Sequence, residues 1–326
     1  MATATVSDFK LYDELVQAGM FEGVAQALEV FNGASNGCIL LSSKSHPGNY
    51  KKEAFFPMTA GLINRRDPTN TSIASAVKPT QSEFISVKTK SRIGPIDYTE
   101  DSIRAIGKTL EEASFVFGQQ IGQAKTQDLI NMAVLCAETA LQGQSAVNYS
   151  ALSLSTKTLK TAYLVNAMAT MGDAGQRIAC WVMHSKQYFD LVGDQIAANL
   201  TGMSDKVIYG GSPATLGRPV VISDIPALIN DVASTDTYQV LGLVPGAVQI
   251  EESEQSRIVT ATITGFSNLI VRIQGEYAAT VGVKGFQWDT GNGGAAPNDA
   301  ALGTTTNWDK IATSHKDLAG VRIAVR

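Results

Sequence analysis

TLEEASFVFGQQIGQAKTQDLINMAVLCAETALQ, residues 109–142, decides how this chain is read. It has no proline, few β-branched residues and many alanines and straight side chains, the composition of a helix. Thr109 and Glu112 have the spacing of a capping box. Gly143 stands where a left-handed residue would end the helix. About 33 residues at ~1.5 Å each make a rod of roughly 50 Å, where the mean helix has only about 11–12 residues. Leu110, Ala113, Phe117, Ile121 and Ala124 recur three and four apart, and Ile130, Ala133, Ala137, Ala140 and Leu141 resume the stripe. One apolar face and one wet face are expected. Gly118 and Gly122 share a face, although glycine costs a helix interior roughly 1 kcal/mol. They imply a bend or another backbone passing close by.

The 326 residues can hold one large domain or two ordinary ones. Charged residues make up 17%, low against the usual ~25%. Low charge with 29 glycines suggests that much of the surface is buried against something, copies of itself included. The formal net charge of −4 argues against a protein that coats nucleic acid by bulk electrostatics. Cys38, Cys136 and Cys180 have neither disulfide-framework nor zinc-site spacing and read as buried thiols. No apolar run approaches the ~18 residues of a membrane span, and no secretory signal is legible. Folding in a cytoplasm, away from any membrane, is expected.

Outward from the long helix, residues 7–31 read as one or two amphipathic helices, with Ser7 as a cap and Leu11, Leu15, Phe21, Val24, Ala25 and Leu28 inward. A turn and a short strand, CILL, follow. Residues 42–95 hold five prolines and little periodicity. A structureless loop of that length is doubtful inside a compact domain, so a projecting hairpin is expected. Its arms would be KKEAFFPMT and EFISVKTKSRI, the second carrying Lys88, Lys90 and Arg92 on one face. Beyond the long helix come a helix near 158–172, a buried strand IACWVM, a helix SKQYFDLVGDQIA and strands in LGRPVVISDIPAL and YQVLGLVPGAVQI. RIVTATIT, NLIVRIQ and YAATVGVKGFQW form a close β series, and VRIAV closes the chain. The fold class is α+β with a discontinuous layout.

Catalytic constellations are not found. There is no phosphate-binding loop and no H-E-x-x-H. His46, His184 and His315 stand apart, so neither a metal nor a cofactor is expected. Gly33-Ala34-Ser35-Asn36-Gly37 fits the nucleophile elbow G-x-S-x-G, but that elbow follows a strand and opens a helix. Here a helix precedes and a strand follows, so the segment reads as a turn, and a hydrolase using Ser35 is a remote alternative. Glu111-Glu112 and Glu251-Glu252 are adjacent pairs, point apart and read as solvated. Lys51 and Lys52 lie among aromatics but match no nucleic-acid-binding motif.

The order of elements resembles that of tailed-bacteriophage major capsid proteins, whose coat fold is shared with encapsulin shells. WVMHSKQYFDLV, LGRPVVISDIPAL, YQVLGLVPGAVQI and the closing GFQWD, APNDAAL and NWDK segments resemble stretches common in that family. The resemblance implies an N-terminal arm (1–40), an extended loop (41–97), a peripheral domain (98–149 and 266–290) holding the long spine helix, an axial α/β domain (150–265) and a C-terminal segment (291–326) returning to both. It implies a structural protein, not an enzyme, that assembles through hexamers and pentamers into an icosahedral shell of a virion around double-stranded DNA. An encapsulin-like nanocompartment is the alternative. Assembly in the bacterial host cytoplasm is implied, with a separate scaffolding protein, since the arm is short, together with a portal protein and in some cases a decoration protein. Lys51, Lys52, Lys88, Lys90, Arg92, Glu111 and Glu112 are the candidate contacts between subunits. Some members also join a loop lysine to an asparagine covalently. Lys51 or Lys52 with Asn268 would be the counterpart, but Gly275 stands where the assisting glutamate is sought.

Overall fold

The computed structural model describes residues 16–18, 20, 32, 33, 35–56, 81–99, 110–202, 215–232 and 235–326, with isolated positions (63, 65, 68, 69, 73, 76–78) between 57 and 80. Side chains of 110–113, 195–202, 231, 232 and 235 are not among them. The Ser7 cap, most of the 7–31 segment and the Thr109–Glu112 capping box lie outside the described residues.

After β1 (Ile39–Ser43) comes the expected hairpin, β2 (Tyr50–Phe55) antiparallel to β3 (Ser82–Thr99). The long helix, α1, spans Leu110–Gln142. Then follow β4 (Asn148–Ser150), α2 (Thr161–Thr170), β5 (Cys180–Met183), α3 (Ser185–Gly202), β6 (Val220–Ile222), β7 (Ile229–Val232) and β8 (Thr235–Leu243). Two long strands, β9 (Val248–Ile263) and β10 (Ile270–Val283), lead to β11 (Phe286–Trp288), α4 (Asp299–Leu302), β12 (Trp308–Lys310) and β13 (Gly320–Val325).

Two main sheets result. One runs β1-β9-β10-β3-β2. The other runs β4-β13-β8-β5-β6, with β7 also on β8. The terminal strand is thus internal, parallel to β4 and antiparallel to β8. Strand β5 is buried throughout, as its unbroken apolar run predicts. The chain passes from the second sheet to the first at Pro245-Gly246. There Gly246 N–H donates to the Gly37 carbonyl at 2.8 Å, and Gly37 and Gly246 both take positive φ. The expected domain boundary at 265/266 falls in the turn of the β9–β10 hairpin, whose strands pair from Ile263–Ile270 down to Val248–Val283. The sheet does not break there. NLIVRIQ and YAATVGV are one strand, because Gly275 and Glu276 stay in the ladder across a bulge against β3.

The long helix differs from expectation in two respects. Only its first part keeps a wet face, with Val116, Gln119, Gln120, Gln123, Ala124 and Gln127 exposed at helical spacing. From Leu129 to Leu141 no residue is exposed, since the helix there runs between both sheets and the C-terminal segment. A helix covered on every side is largely apolar all round, its one buried charge, Glu138, being paired with Arg322, and the alanines of 133–140 allow the close approach. Nor does Gly143 adopt the left-handed conformation. The Asn148 side-chain amide caps the Gln142 carbonyl at 2.9 Å, and a 3₁₀ turn (Ser145–Val147) leads away.

The two helix glycines mark a crossing. A Cβ on Gly118 would lie 2.4 Å from the Val16 carbonyl oxygen, and one on Gly122 2.9 Å from that of Met20. Val16 and Met20 are helical and fully buried. The close backbone is therefore the chain's own N-terminal segment, and the loss of helix propensity at Gly118 and Gly122 permits that contact. Alanine normally favours a helix over glycine by roughly 1 kcal/mol, and here the sign reverses. Gly118→Ala should lower the urea midpoint of the unassembled protein, by about 1–3 kcal/mol for overpacking. Gly193→Ala, in α3 with nothing within 4 Å of the added carbon, should raise it. A rise at both sites would show that the crossing is loose.

Candidate assembly surface

The candidate residues lie on and around the five-stranded sheet, and strand β9 organises them. Its segment EESEQS has little β propensity, yet it lies in the β9 ladder, with β10 alongside and β1 reaching as far as Glu251 and Glu252 on the other side. Each of its three glutamates meets a lysine from elsewhere in the chain. Lys51 Nζ of β2 lies 2.7 Å from Glu251 Oε1. Lys88 Nζ of β3 lies 3.0 Å from Glu254 Oε1 and donates to the His46 carbonyl at 3.0 Å. Lys125 Nζ of α1 bonds Glu252 Oε1 and donates to Ser256 Oγ at 2.7 Å.

A bulge decides which lysine reaches which acid. Ala279 pairs with Glu252, but its neighbour Ala278 pairs with Glu254, leaving Ser253 as the extra residue. A bulge shifts alternation by one, so Glu254 joins Glu251 on the face away from the helix. Glu252 alone faces the helix. Lys125 and Lys88 keep only 2% and 3% of their side chains exposed, and Glu251 and Glu252 12% and 15%. The solvated reading of Glu251-Glu252 is thereby corrected, although the two do point to opposite faces. For Lys51, burial disfavours the charge, but the hydrogen bonds it donates to Glu251 and Glu53 outweigh it and hold the pKa above the ordinary lysine value.

On the helix face the Lys125 ammonium also lies 5.2 Å from the Tyr277 ring centroid, and the Tyr277 hydroxyl donates to Asp128. Burial, aided by Asp128, pushes the Tyr277 hydroxyl pKa up. Further along, Arg322 of β13 donates to Glu138 at 2.9 Å and ties the covered half of the helix to the second sheet. Burial there raises the Glu138 pKa despite the guanidinium.

The sequence candidates therefore divide. Lys51 and Lys88 are engaged within their own chain. Lys52 is exposed and pairs with exposed Glu83 at 3.2 Å. Lys90 and Arg92 are exposed and have no ion-pair partner among the described residues. The side chains of Glu111 and Glu112 lie outside the described residues. Sequence reading missed Arg257, which the ladder brings level with Arg92, Glu276 standing between them. Lys90, Arg92, Arg257 and Glu276 line a depression of about 710 Å³ on the face away from the helix. Only strand register could have revealed this cluster.

The remaining motifs have structural roles. Ser35 is fully buried, and its hydroxyl donates to the Asn32 carbonyl at 3.3 Å and lies 3.4 Å from that of Ile39. Asn36 and Gly37 take positive φ and reverse the chain, as the turn reading requires. The three cysteines are buried and unbridged. Among the described residues no cluster of three or more His, Cys, Asp or Glu could hold a metal, and no helix is long and apolar enough to cross a membrane.

A spine helix laid on a sheet that ends in the β2–β3 hairpin, next to a second α/β layer, is the layout of the tailed-phage capsid fold. Its structure is similar to the capsid asymmetric unit of cyanophage Pam1, at 11% identity, 88% of each chain covered and TM-score 0.53. It is likewise similar to the capsid of Ralstonia phage GP4, at 11% identity, 89% of this chain and 87% of that one covered, and TM-score 0.52. Mycobacterium phage Adephagia gives 11% identity, 87% of each chain covered and TM-score 0.52. At such identity these likenesses establish the fold. No curated protein matches significantly. The family model Gp13-like, "Major capsid protein 13-like", matches residues 8–322. The chain belongs to that family of major capsid proteins, and its fold is that of the phage capsids above.

Breaking one partner of a buried ion pair costs about 3–5 kcal/mol, whereas replacing both with apolar residues can be neutral. Lys125→Met should therefore destabilise the unassembled protein by that order in urea denaturation. Lys125→Met with Glu252→Leu should recover most of the loss. Equal loss in the single and double variants would show that the pair contributes no coupling.

Proposed function

We propose that this protein forms, through pentamers and hexamers of itself, the icosahedral shell of a tailed-phage virion enclosing double-stranded DNA. The observation that carries this reading is the loop between β2 and β3. All its described residues between 57 and 80 are exposed, Ile63 by 95% and Ile73 by 99%. Bare isoleucines are unfavourable in water and suit a segment that its neighbours cover. In this reading 1–40 is the arm, 41–97 the extended loop and α1 the spine of a peripheral domain. The six-stranded sheet forms the axial domain.

The net charge of −4 suits a wall that contains DNA without gripping its sequence. Assembly in the host cytoplasm on a separate scaffolding protein, with a portal at one vertex, follows from the family resemblance, as does the possibility of a decoration protein. The protein acts by assembly rather than catalysis. Its family is structural, and the one nucleophile motif holds a serine with no exposed surface. Lys90, Arg92 and Arg257, which have no ion-pair partner among the described residues, would meet a neighbour's acidic surface, for which Glu111 and Glu112 are candidates, with Lys52 at the edge.

Two measurements test this. Negative-stain microscopy of the purified protein should show closed shells of uniform size or capsomer rings. A monomer persisting at high concentration would count against the reading. Lys90→Glu with Arg92→Glu should abolish or strongly impair shell formation while circular dichroism and the urea midpoint of the subunit stay unchanged. Normal shells from that variant would remove these residues from the interface.

A further inference from the structure

The described surface carries an apolar groove that its own chain leaves open. It lies between the end of β2, the start of β3 and the segment after β12, and holds about 810 Å³. Phe55, Phe56, Phe84, Pro245 and Ile311 line it, and Phe56 is 74% exposed. Exposed phenylalanine beside proline and isoleucine in a concave surface is the arrangement of a binding groove rather than of scattered surface apolars. The same chain presents unpacked isoleucines a short way along the loop, at positions 63 and 73, and they do not turn back into the groove.

We propose that this groove is the seat for the 63–78 stretch of a neighbouring copy's loop. The inference rests on the reading that the loop crosses to an adjacent subunit, and it names where the loop lands. Three observations select this occupant over an unrelated protein. The family is one whose members assemble with themselves, so a second copy is always the nearest macromolecule. The apolar character matches, with Ile63, Ile73 and Val77 exposed on one partner and aromatic and aliphatic side chains open on the other. The charges match as well. The loop carries exposed Arg65 and Lys78, and the groove is rimmed by Glu53 and Asp317 with Lys284 as its one cation. Glu53 and Asp317 already face Lys51 and Arg177, but their side chains remain 54% and 62% exposed. Each can therefore accept a second cation at the rim. The isoleucines would supply the burial and the rim charges the register.

The test uses whole subunits assembled into shells. A photo-reactive benzoylphenylalanine replaces Ile73, a position so exposed that the fold should tolerate it. After irradiation, covalent dimers are isolated and digested, and the joined peptides are identified by mass spectrometry. Adducts within residues 53–56, 84 or 311–317 of a second copy are expected. Adducts elsewhere, or shells that yield no dimer, overturn the proposed seat while leaving the capsid reading intact. Failure of the unmodified protein to form shells or capsomers would instead overturn the capsid reading. As an independent check, Phe56→Asp should reduce assembly at least tenfold with an unchanged subunit urea midpoint. Assembly within twofold of the parent would also overturn the proposal.

Discussion

Three carboxylates on one strand hold this subunit together. β9 lies two strands in from the hairpin and beneath the spine helix, and its glutamates draw in Lys51 from β2, Lys88 from β3 and Lys125 from α1. The two deepest lysines are almost wholly excluded from water, where an unpaired ammonium would be very costly. Each pair is therefore close to obligatory once the chain folds. Hairpin, sheet and helix are far apart in sequence, yet none can shift along β9 without separating a buried charge from its partner. The Ser253 bulge makes this possible on both faces at once. Without it Glu254 would project beneath the helix and Lys88 would lose its acid.

That constraint bears on how a shell wall can be built from one chain. A projecting arm is useful only if its root is rigid. The root of the hairpin is fixed by Lys51 and Lys88, and beyond it the loop shows only exposed residues among those described. The charges used to anchor the root are unavailable to neighbours. Three cations with no ion-pair partner among the described residues, Lys90, Arg92 and Arg257, stand together in adjacent rows of the same face. Along this single strand Lys88 is thus buried against Glu254, while Lys90 and Arg92 stand exposed and without an ion-pair partner among the described residues.

Much of the fold was legible beforehand because it rests on local signals. The long helix follows from propensity and the absence of proline, the hairpin arms from alternation, and β5 from its apolar run. The Gly118–Gly122 pair pointed to a bend or a close crossing, and the structure supplies the crossing. What escaped reading depends on register. EESEQS looks like a solvated loop until its lysine partners, some 130 to 200 residues away, are brought alongside. Arg257 joins Arg92 only through the β9–β10–β3 ladder. Burial of the second half of the helix on all sides is likewise non-local, because alanine and leucine suit a half-buried stripe and a fully buried rod alike.

The uneven burial of the helix has a mechanical corollary. A rod of about 50 Å clamped along one half and partly wetted along the other behaves as a lever with its fulcrum inside the core. A tilt of about 5° pivoting near Leu129 would carry the free end, roughly 28 Å away at ~1.5 Å per residue, by about 2.5 Å. Val16 and Met20 ride on that end through the glycine crossing. Repacking between the two sheets would therefore be felt at Val16 and Met20.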